Sequence, residues 1–263
     1  MPRPVAQPSS ISIAKVEKIF FILIVYTTLA DNTVIAKLTS TRYFFRIRQM
    51  KRLNYIIALD GIKIILVFLS LSITSFIFLP TFVGFVFLVL FLWSLWFFRN
   101  PKRYNNTAGE KEILSPADGQ IVAVGPAHES VFFNKEMKKV SIFMNVFNVH
   151  VNRSPISASV KNVKYFPGKF LIASHPRASS ENERNALELE ASDFKLCLVQ
   201  IAGKVARRIV SYAQPGVLLE RGQAFGLIQF GSRVDVYLPL DVAITVKAGD
   251  HVKAGVTVLA EKK

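Results

Sequence analysis

FGLIQFGSRVDVYLPL, residues 225–240, is the stretch on which the reading of this chain turns. Val234, Val236 and Leu238 alternate with Arg233, Asp235 and Tyr237, the period of two that marks a half-buried β-strand. Gly231-Ser232 stands at the mouth of that strand. Glycine leaves its carbonyl sterically open and a serine hydroxyl is close enough to attack it, so the backbone here has the means to cut itself. As a bare dipeptide Gly-Ser is ordinary turn chemistry. A strand behind it provides a rigid setting for a reaction.

The surroundings of that strand are also β-like. Short runs at residues 121–124, 140–151, 160–165, 194–201, 205–210, 234–238 and 256–259 are rich in branched and aromatic side chains and separated by turn residues. Only residues 180–190 read as locally helical, with Ser180 and Glu183 at capping-box spacing. SPADGQIVAVG (115–125) and KAGDHVKAGVTVLA (247–260) each set an Asp-containing turn beside a valine-rich strand, as at the hairpins of a compact barrel-sandwich. The expected fold is mainly β, over residues 104–263.

Residues 64–98 carry no charge, a run exceeding the roughly 20 residues that one helix needs to cross a bilayer. Pro80 divides it, which predicts two short apolar helices within residues 50–103, joined near 79–81. Arg46, Arg48, Lys51 and Arg52 precede the run, and Arg99, Lys102 and Arg103 follow it, so both ends are expected on the cytoplasmic side of a cell (inner) membrane. Residues 1–49 hold a shorter apolar stretch, 19–30, and form an extension of doubtful role; Met50 is a candidate start.

The net charge of +15 suits either nucleic acid or an anionic membrane surface. Aromatic residues crowd into the apolar run instead of interleaving with the basic ones, so the membrane is preferred and no nucleic-acid partner is expected. The single cysteine, Cys197, can form no internal disulfide and reads as a small core residue. Neither metal-ligand spacing nor a phosphate loop occurs. Among the four histidines, His128 and His251 lie in turn-like surroundings and His175 precedes Pro176, whereas His150 ends the nearly uncharged run VSIFMNVFNVH. There its pKa would be set by its neighbours. Asp118, before Gly119, reads equally as a turn residue.

FFRNPKR (97–103), SPADGQI (115–121), SIFMNVFNVHVNRSP (141–155), FPGKF (166–170), NERN (182–185), QIAGKVARRIV (200–210) and FGLIQFGSRVDVYLP (225–239), in this order, resemble the short bacterial and archaeal form of phosphatidylserine decarboxylase. The resemblance covers about residues 50–263. It implies a zymogen that cuts itself between Gly231 and Ser232. A β chain would end at Gly231, and an α chain (232–263) would begin with a pyruvoyl group derived from Ser232. That covalent cofactor would convert phosphatidylserine to phosphatidylethanolamine through a Schiff base, in phospholipid biosynthesis. By the same resemblance Ser232 is the nucleophile, His150 the general base and proton carrier, and Asp118 the group that orients a histidine; Arg153 stands where long-form members have a second histidine. Arg207 and Arg208 are candidate partners for substrate phosphate or carboxylate. The partners implied are the lipid substrate, the membrane surface and the two chains of one precursor; a homo-oligomer is allowed.

A membrane-anchored transporter adaptor with a biotinyl-like domain around GDHVKAG is the alternative from another class. It lacks a lysine at the expected hairpin tip and a heptad-bearing helical hairpin.

Overall fold

The structure, a computed structural model, describes residues 55–103, 109–173, 175, 177–192, 194–204 and 208–262. All belong to one compact unit, Gln49–Lys263. Met50 and Arg207 lie outside the described residues.

The charge-free run forms two helices, α1 (Ile62–Phe78) and α2 (Thr81–Phe97). Pro80 has no backbone N–H to continue a helix, and the break falls at Leu79–Pro80. Gly84 lets the helices approach: a Cβ there would meet the Phe76 ring at 2.5 Å. Outward-facing Ile77, Phe78, Phe82 and Val89 have no covering protein. Together with the preceding 3-10 turn, α1 makes a 20-residue segment, Leu59–Phe78, long and apolar enough to cross a membrane; α2 is shorter.

The remainder is mainly β. In chain order the strands are β1 (Glu112–Leu114), β2 (Gly119–Glu129), β3 (Lys135–Met144), β4 (Val151–Arg153), β5 (Ala158–Phe166), β6 (Arg184–Glu190), β7 (Lys195–Ala202), β8 (Arg208–Ser211), β9 (Leu218–Leu219), β10 (Ala224–Gln229), β11 (Ser232–Leu238), β12 (Ala243–Ile244), β13 (His251–Val252) and β14 (Val258–Glu261). A large sheet in the order β13-β2-β3-β11-β7-β6-β5-β9 curls into a half-barrel. Two three-stranded sheets, β4-β10-β8 and β1-β14-β12, complete the barrel-sandwich.

The strand expected to be half-buried is buried on both faces, because β11 lies in the middle of the large sheet between β3 and β7. Val234, Val236 and Leu238 enter the main core with Ile142 and Leu198. Tyr237 packs on the opposite face against Cys197 and Val199. On that face Arg233 Nε meets Asp235 Oδ1 at 2.9 Å, so the two charges compensate each other, and Arg233 also donates to Ala173 O (3.0 Å) and Ser179 Oγ.

Two other expectations are corrected. The run 140–151 is two strands: Asn145 and Asn148 form a turn between β3 and β4, with Asn145 N donating to Asn148 Oδ1 (2.8 Å) and Phe147 N to Asn145 Oδ1 (2.9 Å). Residues 180–190 are mostly strand β6, preceded by the one-turn helix α3 (Ala178–Glu181). That helix follows Arg177 and has no side-chain cap; Ser180 Oγ bonds back to Arg177 O.

Candidate active site

β10 belongs to the small sheet and β11 to the large one, and the chain passes between them through Phe230 and Gly231, both in the left-handed region (φ +60° and +58°). Glycine takes that conformation without strain; phenylalanine does so at a cost of about 1–2 kcal/mol. An aromatic stack holds Phe230 in place. Its ring lies 4.6 Å from Phe97 and 5.8 Å from Trp93, both on α2. Past this turn Ser232 begins β11, fully buried, paired with Met144 on β3 and Ala202 on β7. Its Oγ lies 3.4 Å from Met144 Sδ.

The Gly231 carbonyl sits against Gly203, which follows β7. A Cβ at residue 203 would lie 2.1 Å from Gly231 O and 3.1 Å from Gly231 C, so only glycine leaves room for that oxygen.

His150 immediately precedes β4 and is 2% exposed. Its Nδ1 is 2.9 Å from the Asn148 carbonyl, which can only accept, so the proton sits on Nδ1 and Nε2 carries the lone pair. Nε2 is buried without a hydrogen-bond partner. Desolvation, partly offset by the Asn148 bond, pushes the pKa down to about 4, so the ring stays neutral near pH 7. The Phe97 ring covers it at 4.2 Å, and the same ring stacks on Phe230. His150 and Phe230, in the turn before Ser232, thus both stack on one aromatic ring supplied by the last turn of α2.

Asp118 reaches this histidine only through space. Its carboxylate is held by both guanidinium nitrogens of Arg103, one at 2.7 Å from Oδ2, and by the Ala254 amide at 2.8 Å. That amide comes from the second Asp-turn motif: SPADGQI and GDHVKAG lie side by side, Gln120 opposite His251. Asp118 favours protonation of His150 and Arg99 opposes it. Arg153, in place of a second histidine, is a strut whose guanidinium donates to Gly222 O (3.0 Å), Asn100 Oδ1 (2.6 Å) and Pro101 O (3.0 Å). Arg208 is exposed at the start of β8, opposite Gln229, three residues before Ser232. His128, His175 and His251 are exposed. Cys197 is buried, and desolvation raises its thiol pKa well above the ordinary value, so it is an inert core side chain. Sequence reading missed Arg103, Gly203, Phe97 and Met144. Each acts by a contact across the fold, and no local pattern announces such a contact.

The fold and site define a β-domain with an apolar hairpin at its base and, at the head of its central strand, a buried serine behind a left-handed glycine, with a neutral histidine on the aromatic ring that also holds Phe230. The profile described as phosphatidylserine decarboxylase matches residues 90–260. Proteins named phosphatidylserine decarboxylase proenzyme align with the chain. That of Syntrophotalea carbinolica is 45% identical over 80% of this chain and 98% of its own length. Those of Geotalea daltonii and Magnetococcus marinus are 52% and 47% identical, over 66% and 69% of this chain and 81% and 83% of theirs. This chain belongs to the phosphatidylserine decarboxylase family.

Proposed function

We propose that this chain is a proenzyme that cuts itself between Gly231 and Ser232 and then decarboxylates phosphatidylserine to phosphatidylethanolamine. The observation that carries the reading is the turn itself. A strained Phe230 and a left-handed Gly231 present an open carbonyl directly before a buried serine, with an unpartnered histidine nitrogen behind the same aromatic ring. Ser232 is the nucleophile. His150 accepts its proton at Nε2, a role for which a neutral imidazole is required. Asp118 contributes field, with Arg103 and the Ala254 amide fixing its position.

The residues fit a pyruvoyl group at position 232: Ser232 and His150 are both buried away from solvent, and the unpartnered Nε2 of His150 is free to exchange protons. Such a group, once formed, supplies a carbonyl that captures an amine and accepts the electrons released with carbon dioxide. His150 would hold or return the proton, and Arg208, with Arg207, would meet the phosphate or carboxylate of the substrate. The apolar hairpin holds the domain at a membrane, with basic residues toward the cytoplasmic face, so that a lipid enters by its head group.

The full chain presented with phosphatidylserine vesicles tests this. Ser232→Ala should abolish both the cut and carbon dioxide release, because no hydroxyl remains to react. Sustained decarboxylation by that variant would overturn the reading.

A further inference from the structure

A line of buried side chains ends at Ser232, and the roles assigned above leave it unused. Asn185 on β6 donates from Nδ2 to Gln200 Oε1 on β7 (3.0 Å), and Gln200 donates from Nε2 to Asn152 Oδ1 on β4 (2.8 Å). Asn152 Nδ2 then lies 3.8 Å from Met144 Sδ on β3, the sulfur that Ser232 Oγ also approaches, at 3.4 Å. None of the five residues is more than 4% exposed.

Carboxamides in an apolar core are destabilising unless their hydrogen bonds are met. The first two contacts meet that need and the last does not, because a thioether is a weak acceptor and here it serves two donors. With Oδ1 held by Gln200, the Asn152 amide cannot turn over, and its N–H end is fixed toward the sulfur it shares with Ser232. Three amides aligned head to tail also polarise one another, which strengthens the donor at the end of the line.

We propose that Asn152 is a catalytic residue of self-cleavage, its Nδ2–H turning from Met144 to Ser232 Oγ as that oxygen becomes an acceptor. The inference rests on the self-cleavage reading. In the first step the Oγ bond to Gly231 C forms as the Gly231–Ser232 C–N bond breaks. The hydroxyl proton passes to His150 Nε2 and then to the departing nitrogen. In the second step His150 Nε2, neutral again, takes the Ser232 Cα proton, the Cβ–Oγ bond breaks, and its electron pair stays on Oγ, now part of the Gly231 carboxylate. Negative charge develops on Oγ in the second step, as it leaves Cβ, so an oxygen that begins as a donor to sulfur ends as an acceptor. Met144 holds the amide and the hydroxyl together until then.

The test is the rate of cleavage of newly translated full chain, followed on denaturing gels. Asn152→Leu removes the donor at similar volume and should slow cleavage about 100-fold, the typical loss for one donor to a developing oxyanion. Asn152→Asp offers a donor only while its carboxyl is protonated, so its cleavage should be slow at pH 8 and recover as the pH falls toward 5, a recovery the unaltered chain does not show. A structural role alone would not produce that profile. Cleavage of Asn152→Leu at the unaltered rate would overturn the inference alone. So would an Asn152→Asp profile parallel to that of the unaltered chain, even if Asn152→Leu does not fold. An unaltered chain that stays whole would overturn the self-cleavage reading, and the inference with it.

Discussion

His150 combines two properties that rarely coincide: it is almost wholly buried, and one ring nitrogen has no partner. Burial disfavours its charged form, so the imidazole remains a base down to about pH 4. The unfolded chain binds a proton at this residue near pH 6.5. Between about pH 4 and 6.5 the unfolded state therefore holds more protons, and the contribution of His150 to stability is present above 6.5 and is lost as the pH falls toward 4. Cleavage rates of freshly translated chain should be nearly level from pH 7 to 5 and fall near 4; an inflection at 6.5 would show a solvated histidine. The residue stood out in the sequence because its run is uncharged. Its tautomer did not, since that depends on the Asn148 carbonyl and on a turn that splits residues 140–151. Asp118 was legible as a turn aspartate and as a motif match, but its partner Arg103 is remote in sequence, and the Asp118 carboxylate is spent on that ion pair and on Ala254.

At the scale of elements, the end of α2 does more than anchor. Phe97 closes over His150 and Phe230 together, and Phe97, Phe98, Val149, Val151 and Leu227 form one buried cluster linking the hairpin to β4 and β10. Phe97→Ala should destabilise the protein by about 3–5 kcal/mol, the usual range for a buried phenylalanine. By admitting water it should also move the acid limit of cleavage upward from about pH 4 toward 6.5. Thermal unfolding and the same pH series check both. The end of β7 carries the other constraint. Gly203→Ala would set a methyl group against the Gly231 carbonyl, and displacing a reacting atom by about 1 Å can slow a reaction about 100-fold. The variant should fold, as judged by circular dichroism, and remain largely uncut; cleavage at the unaltered rate would show that this carbonyl is not the one attacked. The helices were legible from a charge-free run and one proline, and β11 from its alternation. β6 was not: RNALELE is built from residues that favour helices, and it is a strand because β5 and β7 pair with it on both sides.

Over the whole molecule, the two Asp-turn motifs near the two ends of the β domain pair with each other, and β11, which begins at Ser232, lies in the middle of the large sheet. Cleavage at Gly231 would leave β11 hydrogen-bonded to β3 and β7, so the two chains would stay one folded body with the new terminus enclosed. Such an arrangement suits a group that must be made once and kept from water. The most direct measurement of this account is the intact mass of the C-terminal fragment from the purified protein. The account predicts a fragment beginning at residue 232, lighter than the serine-ended peptide by one ammonia and without a free amine. An active protein that remains a single chain, or a fragment ending in an unmodified serine, would contradict it.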